Sequence, residues 1–438
     1  MNEPARVRRL TEGMPGLYGR IREVPEDFVV EEIPLYEPTG EGDHVLFGLE
    51  KRGISTFEAL LWISKSVKVS EHQIGYAGLK DAHAVTRQVM SVHRVPPGRV
   101  LALRRQNVRV LWAERHPMRV RIGHLKGNRF TIRIRDARTE HMVAAREALG
   151  RLAEQGVPNA YGVQRFGTKQ DGHLTGRALV RGDYAEFLSH LAGRPDAREG
   201  DVRVHEAREA YDRGDVEEAL GRFPMKHRVQ KKALATLLRT GDPKQAFESL
   251  GKRARRIYVS AYQSWIFNRC LDARLSTGTF DRFLPGDLAW LHGSGALYDV
   301  HEPVREEDRA ARLEASPTGP LPGYDMRRPS GEAWAVEERV LDEESLADDL
   351  FRAPAIRTRG SRRPYRVPLV DASLEVEGPG TVVARFTLPP GSFATVVLDE
   401  LMKGGIDASA TPKGGGLEAP EPADPEGDES ADDVPEPT

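Results

Sequence analysis

The chain changes its hydrophobic period twice. In the first third, apolar and polar residues alternate in short runs at 21–33, 44–50, 87–95, 108–122 and 130–135. Alternation with period two is the pattern of a strand with one buried face. In the last of these runs Phe130, Ile132 and Ile134 fall on one side and Thr131, Arg133 and Arg135 on the other. Residues 21–33 read as a candidate pair of strands. Two helices interrupt the run, at 56–67, with Phe57, Leu60, Leu61, Ile63 and Val67 at helical spacing, and at 141–155, closed by Gly156.

From about 165 to 355 the helical period dominates, with segments at 174–180, 184–192, 202–211, 216–223, 230–238 and 244–268 and a Pro/Gly-rich loop at 316–323. Strand-like runs return at 365–370, 374–376 and 381–388. A strand pattern interrupted by a helical block and then resumed predicts an α+β fold with an inserted domain, not a doubly wound α/β sheet.

Several classes fall away. At 438 residues two to three domains are expected. No run of 18 apolar residues proposes a membrane helix, and the basic start of the chain lacks the apolar region of a secretory signal. One cysteine, Cys270, excludes an internal disulfide and a Cys-rich zinc site, so the cytoplasm is the expected compartment. There is no phosphate-binding G-x-x-x-x-G-K-[ST], no H-E-x-x-H and no convincing set of metal-ligating histidines. Neither metal nor redox cofactor is expected.

The net charge of −2 conceals segregation. Residues 411–438 hold nine acids and Lys413, a net of −8, which leaves about +6 on the body. Rich in Pro, Gly, Glu and Asp without apolar periodicity, residues 409–438 read as a disordered acidic tail. In the body, residues 94–138 carry thirteen Lys or Arg against two acids. Residues 222–256 carry eleven against two, and residues 356–366 five Arg against none. A single such cluster reads as a solvated face; three favour a polyanionic partner, bound in a salt-dependent way.

One acid stands apart. In Gly75-Tyr76-Ala77-Gly78-Leu79-Lys80-Asp81-Ala82-His83-Ala84-Val85-Thr86-Arg87-Gln88, small residues surround Asp81, with Lys80 and Arg87 nearby. Gly78 permits backbone angles closed to other residues. Neighbouring cations favour an ionised carboxylate, able to act as a nucleophile or a general base. On its own the pattern is weak, since an Asp in such a turn is usually a capping or turn residue.

This stretch resembles the catalytic motif of the TruD family of pseudouridine synthases. Further segments match that family in order: Pro25-Glu26-Asp27-Phe28-Val29-Val30-Glu31, Gly127-Asn128-Arg129-Phe130-Thr131-Ile132, Pro158-Asn159-Ala160-Tyr161-Gly162-Val163-Gln164-Arg165-Phe166-Gly167, Ser260-Ala261-Tyr262-Gln263-Ser264-Trp265-Ile266-Phe267-Asn268, Ser316-Pro317-Thr318-Gly319-Pro320-Leu321 and Gly391-Ser392-Phe393-Ala394-Thr395. Together they span about residue 20 to about residue 402.

The resemblance implies a pseudouridine-synthase-like catalytic domain with a mixed or antiparallel sheet, made of residues 1–158 and 356–408. It places a mainly helical insertion (TRUD) domain at 159–355. It also implies isomerisation of uridine in tRNA, at position 13, without a cofactor, by a soluble protein read as a monomer. Asp81 takes the place of the catalytic carboxylate, with three routes open: attack on C1′, attack on C6, or a glycal intermediate. Phe130 matches the position that stacks on the target base and Asn128 a substrate-contacting amide. Phe28 and Phe393 match aromatic positions lining the substrate site, and Lys80 supplies a cation beside Asp81. Ala160-Tyr161 departs from the two aromatics the family often has there. The alternatives are a non-catalytic RNA-binding protein on the same fold and an Asp-dependent hydrolase, the latter lacking the paired carboxylates such enzymes use.

Overall fold

The computed structural model describes residues 7–404. The acidic tail at 409–438 lies outside the described residues. The chain is α+β, and its internal contacts gather it into two compact bodies: residues 30–127, and residues 7–29 together with 128–404.

In the smaller body the strand His44–Arg52 is central, paired antiparallel with Val85–His93 on one side and Val108–His116 on the other. Alternation along it sends Val45, Phe47 and Leu49 into a core with Ala59, Leu60, Ile63 and Val67 of the helix Thr56–Val67. Each of the larger of these side chains contributes roughly 1.5–3 kcal/mol on burial. Ser55 caps that helix by accepting the Glu58 N–H (3.1 Å), and Lys68 ends it in a left-handed conformation at φ 56°. Gly48 is required in the strand interior. A Cβ there would stand 2.4 Å from Nε1 of Trp112, whose indole lies across it.

The strand expected twice over 21–33 forms once, as Phe28–Pro34, behind a single turn of 3₁₀ helix, Pro25–Asp27. Pro25 opens that turn and the Asp27 carboxylate accepts the Val24 N–H (3.2 Å), so local chemistry ends the extended run before it can pair with itself.

The larger body contains an antiparallel run of Val370–Gly378, Thr381–Leu388 and residues 128–134 of the strand Leu125–Ile134, with Phe386 opposite Phe130 and Leu388 opposite Asn128. Its main core surrounds the helix Lys252–Ser276, which buries Tyr258, Tyr262, Ile266, Phe267, Cys270 and Leu271. The helix expected over 244–268 is in fact two, Pro243–Glu248 and Lys252–Ser276. Gly251 stands between them as the N-cap of the second.

The Pro/Gly-rich stretch read as a loop is a buried strand, Ala315–Leu321, paired with Leu288–Leu291 and Ser361–Pro364. Two prolines weaken its hydrogen-bond ladder, but burial outweighs this. A Cβ on Gly319 would lie 2.3 Å from the Tyr365 ring and 3.0 Å from that of Phe267, so only glycine allows the rings this close.

Candidate active site

Asp81 sits in the turn between the paired strands Ile74–Tyr76 and Val85–His93. The carboxylate is half-buried and accepts the His83 N–H at 2.9 Å, an Asx turn that fixes its direction. The His83 ring itself is exposed. Gly78 does not use the backbone angles that only glycine allows: its φ is not in the left-handed region, and a Cβ there would meet no atom within 4 Å.

The turn is held by side chains from elsewhere. The Lys80 N–H donates to Thr56 Oγ1 (2.9 Å), at the start of the helix Thr56–Val67. The Lys51 ammonium donates to the carbonyls of Asp81 (2.8 Å), Ile54 (2.7 Å) and, more weakly, Lys80 (3.4 Å). Lys51 is fully buried. Burial pulls its pKa from 10.5 to about 8; the charge of Asp81 resists that fall and the charge of Lys80 adds to it. The Lys80 ammonium pairs with Glu32 at 2.8 Å, and Glu32 also accepts the Val89 N–H (3.1 Å). With its side chain only 6% exposed, Lys80 acts on its surroundings mainly through its charge.

Asn128 and Phe130 lie two apart on one strand and so point to the same side of it. The Phe130 ring meets Phe28 edge-on (6.2 Å between centroids) and tilts against Phe386 (5.4 Å). The Arg22 guanidinium covers the Phe28 ring at 4.2 Å. Both phenylalanines are largely covered: 3% of Phe28 and 7% of Phe130 is exposed. The chain entering this pair is anchored by the buried Asp27. Burial alone would raise its carboxyl, but the hydrogen bond from Arg135 (2.7 Å) holds it below the ordinary carboxylate value.

Phe393, half-buried, is the N-cap residue of the helix Ala394–Met402 and packs on Tyr161 (6.0 Å). Between them lies Arg363. Its guanidinium stands 4.4 Å from the Tyr161 ring and 6.0 Å from that of Phe393, and it donates to the carbonyls of Asn159 (3.2 Å) and Gly391 (2.9 Å). Tyr161 is tied in turn to Asn268, whose amide both donates to its carbonyl and accepts its N–H, each at 2.9 Å. Arg165 donates to Ser264 (3.1 Å). Thus the segments around 160, 265 and 391 form one hydrogen-bonded and aromatic knot, with Tyr161 in the place of the departure from the family pattern.

Sequence reasoning missed Lys51 and Arg363. Lys51 had a signal, since it continues the apolar alternation Val45, Phe47, Leu49, where a lysine must find acceptors inside the protein. Arg363 had none, since it lies in a run of arginines that reads as surface. Three of those five are interior. Arg362 is paired with Glu337 (2.8 Å), Arg363 sits in the knot, and Arg366 donates to the carbonyls of Gln155 and Ala310, both at 2.7 Å. Among the described residues, no group of three or more His, Cys, Asp or Glu side chains could hold a metal ion, and no helix is long and apolar enough to cross a membrane.

Comparison with known proteins places these features. Residues 6–401 match the family model described as tRNA pseudouridine synthase D (TruD). The chain is 44% identical over 400 residues to the tRNA pseudouridine synthase D of Geobacter metallireducens, covering 91% of this chain and 98% of that one. It is 40% identical over 402 residues to the protein of that name from Thermus thermophilus, covering 91% and 93%. The crystal structure of a putative tRNA pseudouridine synthase D from Methanosarcina mazei superposes with a TM-score of 0.77 at 29% identity, covering 91% of this chain and 96% of that one. The chain belongs to the TruD family of tRNA pseudouridine synthases.

Proposed function

We propose that this isomerase converts uridine 13 of tRNA to pseudouridine with Asp81 as its catalytic carboxylate. The observation that carries the assignment is the constraint on the Asp81 turn. Its carboxylate is aimed by the His83 N–H, and its backbone is pinned by a buried ammonium and by the Thr56 hydroxyl. Such fixing is what a catalytic group needs, because small displacements of a reacting atom are costly in rate.

The reaction breaks the bond from uracil N1 to ribose C1′, turns the base and joins C5 to C1′. The C5 hydrogen leaves as a proton, and no electrons are gained or lost. Asp81 either attacks C1′ or C6 directly or removes a sugar proton to give a glycal; each needs a carboxylate and nothing redox-active. Phe28, Asn128, Phe130, Phe393 and Lys80 are proposed to bind the uridine and its neighbours. Asn128 can both donate to and accept from a uracil edge. Aromatic contacts with a flipped base contribute on the order of 1–3 kcal/mol each, which offsets the few kcal/mol of unstacking. Because Phe28 and Phe130 are packed against each other, they serve as a fixed wall whose rotamers are already set.

Residues 1–158 with 356–408 are proposed as the catalytic domain and 159–355 as the insertion that grips RNA, in a monomer working in the cytoplasm. The test is tritium release from unmodified tRNA transcripts labelled at C5 of uridine. The wild-type chain should release one equivalent per tRNA, and none from a transcript with cytidine at position 13. Equal release from both transcripts would contradict the assignment to that position.

A further inference from the structure

Two groups of cations about a hundred residues apart in sequence meet at one cavity in the larger body. Lys252, Arg255 and Arg256 come from the start of the helix Lys252–Ser276, and Arg357 and Arg359 from the segment ahead of the strand Ser361–Pro364. With Tyr324, Thr358 and their neighbours they line about 370 Å³, and no carboxylate is among the described lining residues.

Three of the cations, Arg255, Arg357 and Arg359, are held by protein contacts, and Arg359 alone of the three has an acid beside it. Arg255 is fixed by the carbonyls of Leu250 (2.8 Å), Glu248 (3.2 Å) and Ala355 (3.4 Å), which orient the guanidinium without neutralising it. Arg357 and Arg352 lie over the Tyr324 ring at 5.3 and 5.1 Å, so the tyrosine acts as a spacer for guanidinium groups. Arg359 is the lining cation with an acid beside it, Asp325 at 2.8 Å.

The arrangement also runs against local preference. The helix opens at Gly251 with no side-chain cap and no acid in its first turn, yet carries Lys252, Arg253, Arg255 and Arg256 at its positive end. Cations there are unfavourable, whereas an anion is favourable. A local conflict of this kind in an otherwise consistent fold marks a functional demand.

We propose that this cavity is a binding site for consecutive phosphodiesters of the RNA backbone, separate from the residues that handle the isomerised base. The inference rests on the tRNA reading above. Its volume suits a nucleotide-sized segment. The spread of cations over two elements suits several phosphates in a row better than a single ion.

The test neutralises two exposed members together, Arg256→Gln with Arg357→Gln, and compares Lys244→Gln, outside the cavity. Equilibrium binding of unmodified tRNA is measured across a salt series, alongside the single-turnover rate at saturating tRNA. The double variant should bind about tenfold more weakly at low salt. Its slope of log affinity against log salt should fall by about 2, roughly one for each phosphate no longer neutralised. Its saturated rate and melting temperature should equal those of the wild type, and Lys244→Gln should change none of these. Unchanged affinity and slope in the double variant, with the wild type active, would overturn the site alone. If ATP bound to the wild type but not to the double variant, while tRNA affinity was unaffected, the ligand would be a free nucleotide and the proposal would also fall. Absence of isomerisation by the wild-type chain would overturn the reading beneath it.

Discussion

Lys51→Met separates what holds the fold from what holds the catalytic turn. In the folded protein the buried ammonium titrates near 8, whereas in the unfolded chain it keeps an ordinary value near 10.5. Between those values the unfolded chain binds more protons. Stability contributed by this group therefore rises with pH across that window, by up to about 1.4 kcal/mol per pH unit. Below about pH 8 the charged lysine costs the fold roughly 3 kcal/mol. Methionine removes that cost but leaves the carbonyls of Ile54 and Asp81 without their donor, at about 1–3 kcal/mol each. The net stability change at neutral pH should therefore be small, within about 2 kcal/mol.

Turnover should behave differently. Deprotonation weakens the hold on the Asp81 carbonyl. The wild-type rate should then fall on an alkaline limb near pH 8 while stability rises. Lys51→Met should lack that limb and turn over about 10- to 100-fold more slowly at neutral pH, the effect of a loosened reacting group. Denaturant melts from about pH 7 to about pH 10, paired with single-turnover rates from about pH 6 to about pH 9, measure both. A variant with the wild-type rate, or a wild type whose stability tracks the variant at every pH, would refute the reasoning.

Two further substitutions probe the supports. Glu32→Gln removes one carboxylate partner of the buried Lys80 ammonium and should destabilise by about 1.5–3 kcal/mol, read by urea melts; no measurable loss would show that the pair adds nothing to stability. Gly319→Ala drives a methyl group into the Tyr365 and Phe267 rings and should cost about 1–3 kcal/mol, or roughly 1–5 °C in Tm, with the rate at saturating tRNA unchanged.

The sequence was most readable where the apolar pattern decides. The helix Thr56–Val67 buries a single apolar stripe, and the strands Thr381–Leu388 and His44–Arg52, though buried in part on both faces, keep short runs of apolar residues bounded by polar ones, so all three fall almost where the sequence puts them. It misled where tertiary burial overrides local preference. Ala315–Leu321 is a strand despite two prolines and a glycine, because aromatic rings from two other segments cover it. Arg362, Arg363 and Arg366 look like surface but are interior, since their acceptors, Glu337, Asn159, Gly391, Gln155 and Ala310, are far away in sequence. At the candidate site the motif made Asp81 visible through its neighbours. The lysine beneath it was hidden, because what identifies Lys51 is its set of carbonyl acceptors, which only the folded chain brings together.

The central claim is that one carboxylate carries the chemistry. Asp81→Asn keeps the shape and still offers an oxygen to the His83 N–H, but removes the charge. Single-turnover tritium release from C5-labelled tRNA, measured beside tRNA affinity for the same protein, is the direct measurement. The account expects release to fall below about 10⁻⁴ of the wild-type rate, a barrier increase of more than about 5 kcal/mol, with affinity within about threefold. Release at a rate close to wild type would contradict it and move the chemistry to another residue.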